Sequence, residues 1–140
     1  LVLEALLVND LDAITELLYG PGEPMVASAM TDERALAFAR ELLSYTEFCL
    51  VRQWLWIDLD VSDAQRYELE KTQRLPVMLY AHHVVYDSTR RWDIGDVVRT
   101  SFLSSFDHGF LFRTLNTTYL LLGDGQRKRA ALETVGRIRF

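Results

Sequence analysis

Phe48-Cys-Leu-Val-Arg-Gln-Trp-Leu-Trp-Ile-Asp-Leu59 is the stretch on which the fold turns. It is rich in β-branched and aromatic residues, and apolar side chains fall at both odd and even positions. A half-exposed strand would alternate, so this run reads as a central strand buried on both faces, with helix covering one side. Trp54 and Trp56, two residues apart, point the same way. They either fill the core beneath a helix or, if exposed, form an aromatic interface patch.

N-terminal to this strand the period changes. Leu3, Leu6, Leu7, Leu11, Ile14, Leu17 and Leu18 recur at three- and four-residue intervals, which predicts an amphipathic helix over about 2–19. Gly20-Pro-Gly-Glu-Pro24 stops it and is the best hinge candidate. Thr31 or Asp32 caps a second helix over about 32–45, with Ala35, Phe38, Ala39, Leu42 and Leu43 on its apolar face.

C-terminal to the central strand, Ser62-Asp63 opens a short polar helix to about Thr72, and 76–86 reads as another strand. An irregular connection over 87–96 leads into a meander at about 96–105, 109–115 and 117–122, paired antiparallel because the links are short. Asp107-His-Gly109 makes one turn; Leu115-Asn116 makes the next, with Asn116 tolerating a left-handed backbone. Gly123-Asp-Gly125 breaks the last strand before a basic C-terminal segment. The expected fold is α+β: two N-terminal helices on a mostly antiparallel sheet ending in a β-meander, as one domain over 1–140.

With 140 residues, three Trp, six Tyr and seven Phe, the chain can bury roughly two thirds of its unfolded surface without staples. Its one cysteine, Cys49, excludes an internal disulfide and reads as a small buried hydrophobe. Acids interrupt the apolar N-terminus at Glu4, Asp10 and Asp12, too early for a signal peptide or membrane span, so the expected location is the cytoplasm. The formal charge of −5 conceals an asymmetry: 14 acids against four Arg give −10 for residues 1–70, and 11 Lys or Arg against six acids give +5 for 71–140. Either an acidic surface meets a basic partner, or the two halves attract each other within one fold.

His82 and His83 are adjacent on a strand, point to opposite faces and cannot ligate one ion together, so no metal is expected. His108 beside Asp107 reads as an exposed turn residue rather than a catalytic base. No nucleophile elbow, P-loop or dinucleotide fingerprint is present, and nothing in the sequence calls for a cofactor. Arg127, Lys128 and Arg129, with Arg137 and Arg139, form the strongest basic cluster and offer a phosphate-gripping alternative, joined by Arg90, Arg91 and Trp92. The acidic total and the lack of a nucleic-acid-binding motif argue against it. The bland reading of the cluster is a solvated C-terminal extension, and cations are also favourable at the end of a helix.

Cys49–Asp58, Val84–Asp87, Gly95–Ser101 and Phe112–Gly123 together resemble a family of small proteins, a domain of unknown function, found in Pseudomonas and related bacteria and often in prophage regions. The resemblance covers about residues 30–129, leaving 1–29 as a helical extension and 130–140 as a basic tail. It transfers no catalytic residue. The absence of catalytic motifs and the opposed charge of the two halves point instead to a small binding module, in the setting of the resemblance a prophage-borne modulator of a host or defence protein, with a protein partner or a second copy on a sheet face or the acidic helical half. The candidate interface or groove residues are Trp54, Trp56, His82, His83, Asp87, Arg99 and Asn116. An enzyme with a site around Asp87, Arg99 and a histidine is the alternative; nucleic-acid binding through the basic cluster is the third reading.

Overall fold

The computed structural model describes residues 2–138, with side chains from Leu11 onward. Leu3, Leu6, Leu7, Asp10 and Arg139 as side chains therefore lie outside the described residues. The chain runs α1 (Val2–Tyr19), β1 (Glu23–Val26), α2 (Asp32–Leu42), β2 (Glu47–Asp60), α3 (Asp63–Lys71) and β3 (Val77–Asp87). It continues through β4 (Val98–Arg99), β5 (Ser105–Asp107), β6 (Leu111–Arg113), β7 (Thr117–Leu121), β8 (Asp124–Ala131) and α4 (Leu132–Gly136). The fold is α+β.

The helix starts follow local chemistry. Thr31 Oγ1 accepts from the Arg34 amide, with Asp32 and Glu33 in the first turn of α2. Ser62 and Gln65 exchange hydrogen bonds at the start of α3 in a complete capping box.

The sheet, expected to be mostly antiparallel, is mixed: among the described residues most of its strand pairs are antiparallel, but two are parallel. β2 pairs antiparallel with β3, but its other edge runs parallel to β7 and then to β8. Glu47 lies opposite Thr117, and Leu55 opposite Gln126. β7 and β8 thus act as one bent line along β2, kinked at Leu122–Gly123. The Gly123-Asp-Gly125 segment kinks the line rather than ending it, and the basic stretch after it is a strand, not a solvated tail. β1, absent from the sequence reading, pairs with the far edge of β8 from Glu23↔Arg127 to Val26↔Asp124.

The sheet also curls. β4 pairs with β3, and the chain then stays beside β3 as Thr100 and Leu103 amides donate to Leu79 and Val77 carbonyls. At Ser104 the chain turns to Arg113, and β5 pairs with β6, β6 with β7 and β7 with β2. The backbone pairing therefore closes a ring. Its interior is filled by Cys49, Val51, Trp54 and Trp56 from β2, Leu79 and Ala81 from β3, and Phe112, Tyr119 and Leu121 from the far wall.

Inward positions on β2 change phase, from Cys49 and Val51 to Trp54 and Trp56. Of the two residues between them, Gln53 has φ 53°, a left-handed conformation in mid-strand. There β2 changes parallel partner from β7 to β8. Gly125 faces this point: a Cβ there would stand 2.3 Å from the Trp54 ring, and Trp54 Nε1 donates to the Leu122 carbonyl at 3.2 Å. The outward positions are covered too. Phe48 and Leu50 lie under Ala35, Ala39 and Leu43 of α2, while Leu55, Ile57 and Leu59 cluster with Leu17 of α1, Val135 of α4 and Ile138.

The Leu115-Asn116 turn forms without left-handed backbone at Asn116. The Thr114 hydroxyl accepts from the Asn116 and Thr117 amides at 3.4 and 3.1 Å, which supplies the turn's hydrogen bonds instead. Left-handed residues do build the earlier turn, at His108 (φ 57°) and Gly109 (φ 75°).

Candidate binding site at the seat of the first helix

Lys128 lies on β8 two residues beyond Gln126, facing α1. A helix ends with carbonyls that lack intrahelical partners, and α1 has no basic residue in its own last turn. Lys128 supplies the cation from outside: its Nζ donates to the carbonyls of Glu16 (3.2 Å), Leu17 (2.7 Å) and Gly20 (2.5 Å). Burial lowers the Lys128 pKa, opposed by the nearby Glu16 charge.

The next carbonyl after Leu17, on Leu18, meets His82 Nε2 at 3.2 Å. A carbonyl only accepts, so Nε2 carries the proton and Nδ1 is the acceptor of the neutral ring. The imidazole stacks on Tyr19 at 5.4 Å and meets Tyr80 edge-on at 4.9 Å. Burial depresses the His82 pKa; the Leu18 hydrogen bond opposes this, and the Lys128 charge adds to it.

The seat itself is apolar, but the described side chains of α1 fill it sparsely. Between Leu11 and Tyr19 only Leu17 is fully buried, while Ile14 and Leu18 are half-buried. A cavity of about 450 Å³ opens on one flank of the helix end, between Glu16, Pro21, Lys128 and Thr134. A second, of about 380 Å³, opens on the other flank between Tyr19, Gln53, His82, Asp124 and Gln126. Tyr19 is 73% exposed at its rim.

The other candidate residues go elsewhere. Trp54 and Trp56 are buried inside the ring, although Trp54 also borders the second cavity. His83 is half-buried opposite Arg52. Asp87, its side chain fully buried, accepts from the Arg91 amide (2.7 Å), Nε (3.2 Å) and Nη2 (2.9 Å). Arg91 in turn reaches Thr117 at 3.0 Å and Glu47 at 3.2 Å, so the cluster straps the 87–96 connection to the sheet. Arg99 donates to the Val135 carbonyl at 2.8 Å. It pairs with Tyr80, seven residues before Asp87, a separation of roughly 20 Å along a strand. Asp87 is therefore not brought together with Arg99, so no site forms around the two with either histidine.

Arg127 and Arg129 lie on carboxylates, at 2.6 Å from Asp58 and 2.8 Å from Asp60. These pairs join the acidic half of the chain to the basic half. Among the described residues no group of three His, Cys, Asp or Glu side chains is placed to hold a metal ion, and no helix is long and apolar enough to cross a membrane.

Sequence reasoning singled out Lys128 and His82 but not their shared task, and it missed Tyr19, Gln53 and Asp124. One signal was legible: α1 ends without a cation of its own.

The family described as Domain of unknown function (DUF6957) matches residues 26–137. The chain belongs to this family. Comparison with curated proteins and with solved structures gives no match. The DUF6957 span is longer at both ends than the resemblance first suggested, and it takes in all of β8 and α4. Lys128, His82 and the apolar seat fall inside it, whereas α1 lies wholly before it.

Proposed function

We propose that this DUF6957 protein is a small protein-binding module whose outer sheet face seats an amphipathic helix and reads its C-terminal end through Lys128 and His82. The observation that carries the reading is the set of backbone carbonyls at the end of α1, on Glu16, Leu17, Leu18 and the following Gly20, held by two side chains of the family span. Backbone carbonyls occur at the end of every helix, so this recognition accepts any helix with a matching apolar face. α1 then serves as the occupant within the chain, joined by the Gly20–Pro24 hinge, in an extension ahead of the common core. A partner helix would displace it.

The enzyme alternative draws less support, because Asp87 and Arg99 do not converge. The nucleic-acid alternative is weakened by the carboxylates on Arg127 and Arg129. The setting we propose, in keeping with the family resemblance, is a cytoplasmic, prophage-encoded modulator of a host or defence protein.

The test uses the full chain and a fluorescein-labelled peptide of residues 1–20. Leu17→Asp removes the buried anchor and should open the seat, so the peptide binds this variant at least about tenfold more tightly than wild type, the equivalent of ~1.4 kcal/mol. Adding Lys128→Met should reverse most of that gain. A folded Leu17→Asp chain that ignores the peptide would sink the proposal, as would a variant that fails to fold, since α1 would then be integral core. Exchange of α1 between two copies would use the same seat and appear as a dimer in sedimentation.

A further inference from the structure

A separate cleft lies on the far side of α4, where α3 meets the segment around Phe102. It encloses about 440 Å³, within the usual size of small-molecule sites, and is lined by Val61, Ala64, Leu69, Phe102 and Leu132 with Arg74 at one end. Val61, Phe102 and Leu132 also pack against the core beneath α1, so the cleft is an opening of that core to solvent.

Arg74 sets the chemistry. Its Nε donates to Thr72 Oγ1 at 2.8 Å, and its guanidinium carbon lies 5.6 Å from the Phe102 ring centroid. These contacts fix the plane of the group while its two terminal nitrogens make no hydrogen bond or ion pair among the described residues. Arg52, Arg91, Arg113, Arg127 and Arg129, by contrast, each sit on a carboxylate. A guanidinium held in plane with free terminal donors is suited to bidentate capture of a carboxylate.

The local field permits an anion there. Glu68 also lines the cleft, and its carboxylate is paired with Lys71 at 3.4 Å. The end of α3 would repel a carboxylate, but its Leu69 carbonyl accepts from the amides of Thr72 and Arg74, and its Glu70 carbonyl from that of Gln73. We infer that this cleft binds a small amphipathic carboxylate, its apolar body against Leu69, Phe102 and Leu132 and its head group on Arg74. The inference is independent of the helix seat.

The test is an amide-resonance titration of the full chain with octanoate, octanol and octylamine, which share a tail and differ in head group. Octanoate should give saturable shifts confined to α3, residues 100–104 and α4. Octanol should bind at least about tenfold more weakly and octylamine not at all. Arg74→Met should abolish the preference for octanoate, and Ala64→Phe, which fills the cleft, should abolish binding. Equal affinity for octanoate and octanol would overturn the inference, as would shifts elsewhere, no saturation, or a preference that survives Arg74→Met.

Discussion

Gln53 occupies a backbone region that costs a residue with a Cβ on the order of 1 kcal/mol, and does so within strand β2. The strain is offset by what the kink allows: apolar residues of β2 enter the ring from odd positions before it and from even positions after it. Gln53→Gly should therefore stabilise the protein by about 1 kcal/mol in urea unfolding, and Gln53→Val should destabilise it. A destabilised glycine variant would refute the strain. The apolar run of β2 was legible in the sequence because burial on both faces leaves a dense pattern. The phase change was not, because no glycine marks it. Asp58 gives a second test at this scale. Burial pushes its pKa up, but hydrogen bonds from Arg127 and Trp56 outweigh this and hold it below the ordinary 3.8. A depressed carboxylate stabilises above its ordinary value and loses that contribution as pH falls through its folded value. Arg127→Gln should cost roughly 0.5 kcal/mol at pH 7, since the pair is partly exposed, and the difference from wild type should shrink below pH 3.8.

Among the elements, β8 shows where local reading fails. Gly-Asp-Gly is turn-like, and Arg-Lys-Arg resembles a solvated tail. What makes the segment a strand is the parallel edge of β2, about 70 residues earlier in the chain. β1 escaped notice for a related reason: it has four residues, one of them Pro24, and gains its place only by pairing with β8. Local caps were readable, and α2 and α3 begin where Thr31 and Ser62 predict. Gly125→Ala should lower stability by about 1–3 kcal/mol, because the added methyl would enter the Trp54 ring and the closed wall cannot easily yield. An unchanged unfolding midpoint would mean that β8 and Trp54 can separate at little cost.

Across the whole molecule, the opposed charges of the two halves meet along the β2–β8 edge, and α1 is fastened to the same region by Lys128 and His82. The charge asymmetry was visible in the sequence; the seat was not, because its members are 46 residues apart and converge only because β3 and β8 pair with opposite edges of β2. His82, depressed mainly by burial, should titrate below 6.5 when its ring resonance is followed by NMR. Folding then favours its neutral form, so the docked state of α1 keeps this contribution above pH 6.5 and loses it as pH falls through the folded value. A midpoint above 6.5 would contradict the placement of His82 under the helix end. The closed ring also bears on synthesis. As the chain leaves the ribosome, β2 is complete at residue 60, yet its parallel edge has no partner until residues 117–131 follow. At about 5–20 residues per second, that apolar edge stays open for several seconds in each nascent chain. DUF6957 proteins built this way should engage ribosome-associated chaperones during that interval.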